Sequence, residues 1–128
     1  MSLKKIVPDN KPLQAVLDHE RRSEDKARDG SRHPAETLAF FDVQPDHRIV
    51  EYAPGGGWYT RILAPYVAGQ GKYIAVNWGP YESVPERYRS MVADWPASFP
   101  AKASAYSGVP ADNITAYFGS EVPEALNG

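Results

Sequence analysis

Three consecutive glycines, Gly55-Gly56-Gly57, separate the short apolar stretch Arg48-Ile-Val-Glu-Tyr52 from a helix-patterned stretch that opens at Trp58. No other feature of the chain constrains its fold as much. Ile49 and Val50 are β-branched and bounded by polar residues, as in a strand, while Ile62, Leu63, Tyr66 and Val67 recur at helical spacing. Strand, glycine turn and helix therefore follow one another. A turn without β-carbons lets a ligand approach the backbone, and the helix start offers it free N–H groups. The pattern predicts a loop for a nucleotide-type cofactor.

The flanking residues narrow the cofactor. A dinucleotide fingerprint wants Gly-x-Gly-x-x-Gly, and here Thr60 stands where the third glycine belongs. A phosphate P-loop would need Gly-Lys-Ser/Thr, and the loop holds no lysine. Glu51 at the strand end would oppose a pyrophosphate and attract a cation. S-adenosylmethionine carries a sulfonium and an ammonium, so an acid at this place suits it.

The segments Arg28-Asp29, Arg32-His33-Pro34, Phe40-Phe41-Asp42-Val43, Val50-Glu51-Tyr52-Ala53-Pro54-Gly55-Gly56-Gly57-Trp58-Tyr59-Thr60, Leu63-Ala64-Pro65-Tyr66 and Gly71-Lys72-Tyr73 together resemble a family of bacterial predicted class I S-adenosylmethionine-dependent methyltransferases. The resemblance runs from about Arg21 to Val76 and rests mainly on Pro-Gly-Gly-Gly-Trp-Tyr-Thr. It implies a Rossmann-like, three-layer α/β/α fold with S-adenosylmethionine as cofactor. It also implies a place near that cofactor for Arg28, Asp29 and Arg32, whereas the charged run His19 to Arg28, taken by its residues, reads first as a solvated helix face with i,i+4 pairs.

With 42% hydrophobic and 23% charged residues, the chain is expected to form a single α/β domain with a real core. A net charge of −2 argues against nucleic acid as a partner, because phosphate neutralisation needs clustered Lys and Arg. Without cysteine there is no disulfide framework, thiol nucleophile or Cys-based zinc site. The three histidines, His19, His33 and His47, lack ligand spacing, so no metal is expected. No run of twenty apolar residues predicts a membrane span, and the compartment is undetermined.

Along the chain, Pro8 and Pro12 predict an extended arm over residues 1–12, followed by a helix from Leu13 to about Arg28. Gly30 and Ser31 break that helix, and Pro34 with Glu36 starts another, with Leu38, Phe40 and Phe41 as its buried face. Gln44 to His47 reads as a turn into the first strand. After the glycine loop, a helix from Trp58 to about Val67 stops at Gly69 and Gly71, and Lys72 to Trp78 reads as a second, parallel strand. A second crossover helix spans Pro85 to Asp94. The prolines at 96 and 100 predict a loop, Ala103 to Tyr106 a short extended piece, and Ile114 to Phe118 a third strand. Ser120-Glu121 follow it, either as a helix cap or where this fold meets an adenine amino group.

The expected architecture is thus a partial Rossmann-like sheet of about three parallel strands with flanking helices, in a single domain over residues 1–128 that reads as the N-terminal half of a longer protein. The expected cofactor contacts are Glu51 on the cationic methionine end and the loop Ala53, Gly55, Gly56 and Gly57 for close backbone approach. Trp58 and Tyr59 would wall the site, Asn77 would take the ribose without the usual carboxylate, and Trp78 would either cover the adenine or pack. A β-carbon at Gly57 is expected to enter the ligand's space. A small-molecule cofactor, an undetermined acceptor and a homo-oligomer closing over the open edge of strand 48–52 are the expected partners. Two alternatives stand beside the enzyme: a non-catalytic Rossmann-like binding or association module, and a nicotinamide-binding domain, which Glu51, Thr60 and Asn77 disfavour.

Overall fold

The computed structural model describes residues 9–78 and 84–119. Asn10 opens the first helix, α1 (Lys11–Asp18), by accepting the Leu13 N–H on its side chain at 3.1 Å, with Pro12 in the first turn. The extended arm therefore ends earlier than its prolines suggested, since a proline in the first turn has no helical N–H to lose. Its first eight residues lie outside the described region. Leu13 and Leu17 are the buried face of α1.

The helix expected to continue to Arg28 instead breaks after Asp18 into two 3-10 turns, Glu20–Arg22 and Asp25–Arg28, which lead into the short helix α2 (Asp29–Arg32). Gly30 and Ser31 lie inside α2 rather than interrupting a helix. His33, in the left-handed region at φ 49°, turns the chain into α3 (Pro34–Phe40). Leu38 is buried there, but Phe40 and Phe41 are 73% and 69% exposed, against expectation. Residues two apart on a helix point about 200° away from each other, so Leu38 and Phe40 cannot share a face. Phe41 lies past the helix end, edge-on to Phe40.

Three parallel strands form the sheet in the order β1 (Arg48–Tyr52), β2 (Lys72–Asn77), β3 (Ile114–Phe118). The register aligns Ile49 with Tyr73 and Ile114, and Glu51 with Ala75 and Ala116. These six positions share one face, because side chains alternate along a strand. On that face lies the core, with α4 (Thr60–Val67) against β1 and β2, α6 (Trp95–Ser107) against β3, and α1 against α4. Crossovers that step the same way across a parallel sheet place their helices on the same side. The arrangement is a mixed α/β fold, compatible with part of a Rossmann-like one. β1 pairs with β2 alone among the described residues, as the open-edge reading expects.

The main departure from expectation is α6, which takes up the segment read as a loop and an extended piece. Pro96 stands in its first turn, and Pro100 inside it deletes a single helical hydrogen bond. Phe99, Ala103 and Ser107 recur at i+4 as a buried stripe, and Gly108 at φ 77° closes the helix by donating its N–H to Ser104 O. Packing of that stripe outweighs the proline. Helix α5 (Glu86–Ala93) precedes it and buries no residue. Strand β2 stops at Asn77, α4 starts at Thr60 rather than Trp58, and Ser120-Glu121 lie outside the described residues. No helix among the described residues is long and apolar enough to cross a membrane.

Candidate functional site

At the carboxyl end of β1 the chain must leave the sheet and turn into α4 within a few residues. Ala53 does so at φ 53°, donating its N–H to Val76 O at 2.7 Å, and Gly55 and Gly57 follow at φ 57° and 92°. Left-handed backbone is why glycine recurs here, and Ala53 is strained by about 1–2 kcal/mol in adopting it. Gly57 N–H closes the turn on Pro54 O. Among the described residues no acceptor is found for the N–H groups of Gly55, Gly56, Trp58 and Tyr59.

The loop forms one wall of a cleft of 560 Å³ that also takes in Glu51, Tyr52 and Arg61. Its opposite wall is the N-terminal segment Glu24, Asp25, Arg28 and Arg32. The walls are tied together at two side chains. Arg61 grips the Asp25 carboxylate through two N–H groups and reaches Gly56 O at 3.2 Å, while Trp58 donates its indole N–H to Asp25 O at 3.0 Å. The Asp25 partnership is what chiefly holds the Arg61 guanidinium above its ordinary pKa. Trp58 is buried in contact with two cations, the Arg22 and Arg32 guanidinium carbons lying 5.3 and 4.7 Å from its ring centroid.

Glu51 lies at the sheet end of the cleft. Its Oε1 accepts from Thr60 Oγ1 at 2.6 Å and from the Tyr73 hydroxyl at 2.5 Å. Oε2 has no protein partner among the described residues, so it is the oxygen left for a ligand. Burial pushes the Glu51 carboxyl up from its ordinary pKa, opposed by the Thr60 and Tyr73 hydrogen bonds. Tyr73 is pushed up further, by burial and then by the Glu51 charge, and stays a hydrogen donor.

Of the residues expected to meet a cofactor, Glu51, Ala53, Gly56, Trp58 and Tyr59 line the cleft together. Gly55 sits between lining residues. Gly57 faces elsewhere: a β-carbon built on it would come within 2.6 Å of the Tyr106 ring, so the space it protects belongs to packing against α6 and not to a ligand. Gly56 is the open position, where a β-carbon meets nothing within 4 Å. Asn77 and Trp78 are absent from the lining. Asn77 Oδ1 accepts the Trp78 N–H at 3.1 Å, and Trp78 packs edge-on against Tyr52, which does line the cleft.

Arg28 and Arg32 reach the cleft, whereas Asp29 turns away to hold the fully buried Arg22 through both carboxylate oxygens. Sequence reasoning missed Thr60 and Tyr73 as the partners of Glu51, and missed the Asp25–Arg61 pair. Only Thr60 carried a signal, as the residue displacing a fingerprint glycine. No group of three or more His, Asp or Glu that could hold a metal occurs among the described residues. Comparison with protein-family models, with curated proteins and with solved structures returns no match.

Proposed function

We propose that this chain binds S-adenosylmethionine and is the cofactor-binding part of a methyltransferase whose acceptor is undetermined. The observation that carries the reading is the cleft at the carboxyl end of β1, where a glycine loop with N–H groups unfilled among the described residues stands beside a carboxylate whose Oε2 has no partner among them. In open parallel sheets, ligands bind outside the carboxyl ends of the strands. The donor set suits the cofactor. Glu51 Oε2 can take the ammonium, the loop around Gly56 admits a ligand without a β-carbon in the way, and Tyr52 and Tyr59 supply aromatic walls. Bound there, the cofactor supplies an electrophilic methyl group on a sulfonium. The residues of this chain bind and orient it, which is the main contribution a protein makes to such a transfer.

Calorimetric titration with S-adenosylhomocysteine tests the reading. Gly56→Val fills open space in the cleft and is expected to abolish binding without unfolding the chain. Glu51→Gln keeps an acceptor for Thr60 and Tyr73 while removing the charge, and is expected to weaken binding about tenfold, the worth of one charge-assisted hydrogen bond. Unchanged affinity in Gly56→Val would move the site elsewhere.

A second reading, a non-catalytic association module, is favoured by β1, which pairs on one side only among the described residues and leaves Val50 and Tyr52 42% and 47% exposed on the sheet face away from α4. Such an edge invites pairing with another copy. Light scattering over a concentration series reports it: a folded chain that self-associates and ignores S-adenosylhomocysteine supports the module, and a monomer that binds the ligand supports the enzyme.

A further inference from the structure

The polar groups of the cleft are unevenly matched. Arg61 and Asp25 satisfy each other, and Glu51 Oε1 is saturated by hydroxyl donors. Arg28 and Arg32, four residues apart on the same wall, have no hydrogen bond or ion pair from their guanidinium groups among the described residues. The backbone N–H groups of Gly56, Trp58 and Tyr59 opposite them are likewise unfilled. Donors outnumber acceptors, so the ligand must bring acceptors.

Arg32 is also held in place. Its guanidinium carbon lies 4.7 Å from the Trp58 ring centroid, a cation–π contact that uses none of its N–H donors in a hydrogen bond among the described residues. A planar fork of this kind matches a carboxylate through two parallel hydrogen bonds. The carboxylates of Glu24 and Glu51 border the same space and oppose a doubly charged phosphate more than a singly charged group.

We infer that Arg28 and Arg32 form a carboxylate-binding pair on the N-terminal wall of the cleft. The carboxylate comes either from the amino-acid end of the cofactor, in which case the inference rests on the proposed function, or from a separate acidic substrate. Arg28 is the discriminating position, because its guanidinium has no hydrogen bond or ion pair to lose among the described residues and Arg28→Gln is expected to leave the fold intact. Arg32→Lys keeps a cation over Trp58 while removing the fork.

The test is a two-dimensional NMR titration of the full chain and both variants with acetate, S-adenosylhomocysteine and 5′-methylthioadenosine, which lacks the amino-acid end. Arg28→Gln is expected to weaken S-adenosylhomocysteine about tenfold and to leave 5′-methylthioadenosine unchanged, which assigns the carboxylate to the cofactor. Loss of acetate shifts in Arg28→Gln with S-adenosylhomocysteine unaffected assigns it to a separate acidic substrate. Arginine-dependent acetate binding in a chain that ignores both nucleosides keeps the pair and removes the cofactor reading. Equal binding of acetate and S-adenosylhomocysteine by the parent chain, Arg28→Gln and Arg32→Lys overturns the pair and leaves the cofactor reading standing. Absence of acetate and S-adenosylhomocysteine binding in the parent chain overturns the pair as well.

Discussion

Two neighbouring glycines of one loop should respond oppositely to the same methyl group. Gly57 holds φ 92°, and a β-carbon on it would stand 2.6 Å from the Tyr106 Cζ and 2.9 Å from its hydroxyl. The left-handed backbone alone costs a non-glycine residue about 1–2 kcal/mol. Forcing a methyl into a packed contact adds about 1–3 kcal/mol, so Gly57→Ala should lose about 2–5 kcal/mol. For a domain of this size that is a fall in Tm of about 10–20 °C. Gly56 is outside the left-handed region and its β-carbon meets nothing within 4 Å. Gly56→Ala should therefore match the parent or gain up to about 1 kcal/mol from the reduced freedom of the unfolded chain. Thermal unfolding followed by circular dichroism reads both. A further variant separates the two causes at Gly57: Tyr106→Leu removes the ring and should recover the steric part in the double mutant, a coupling of about 1–3 kcal/mol. Melting of Gly57→Ala within about 2 °C of Gly56→Ala would refute the reasoning, since strain and clash would both have to be absent.

Glu51 should make the protein less stable as pH rises. Its folded pKa is raised above 4.5 by burial, so between 4.5 and the folded value the native state holds a proton that the unfolded chain has released. Unfolding free energy then falls with pH across that window, and the favourable contribution, complete below 4.5, is lost on passing the folded pKa. Urea unfolding from pH 4 upwards should show this slope in the parent and not in Glu51→Gln; parallel profiles would remove Glu51 as its source. Asp29→Ala should cost about 3 kcal/mol, because it strips the partner from a guanidinium that is 0% exposed. Arg22→Met, which removes the buried charge itself, should cost less in the same urea assay, and the reverse ranking would sink the argument.

Much of the fold can be read from the chain because β1, the glycine loop, α4 and β2 agree at every level. Alternation by two gives way to helical spacing at a turn that only glycine serves well, and the strand positions follow. α6 hides for a physical reason. Its two prolines argue against a helix locally, while the buried stripe Phe99, Ala103, Ser107 that overrides them depends on β3 and α4 already being in place. Phe40 and Phe41 mislead in the opposite sense: large and apolar, they remain at the surface. In the site, Glu51 stands out by its charge beside glycines. Its partners do not, since Thr60 and Tyr73 reach it only once a strand and a helix have been packed. The Asp25–Arg61 pair spans 36 positions and leaves no pattern in the sequence at all.

The seam between the two walls has a consequence for how the molecule opens. β1, α4 and β2 are continuous in sequence and the two strands pair directly, whereas residues 10–43 are attached to them through Leu13, Leu17 and Leu38, the Asn10–Tyr66 hydrogen bond, Trp58 and the Asp25–Arg61 grip. Detaching that N-terminal unit breaks no strand pairing. That unit is expected to open at a lower free energy than the sheet, so its amides should exchange with solvent deuterium well before those of β2. The cleft exists only while the unit is docked. Any molecule bound between the walls must therefore slow exchange at residues 20–32, far from the strands in sequence, and that protection pattern marks occupancy even when the occupant is unknown.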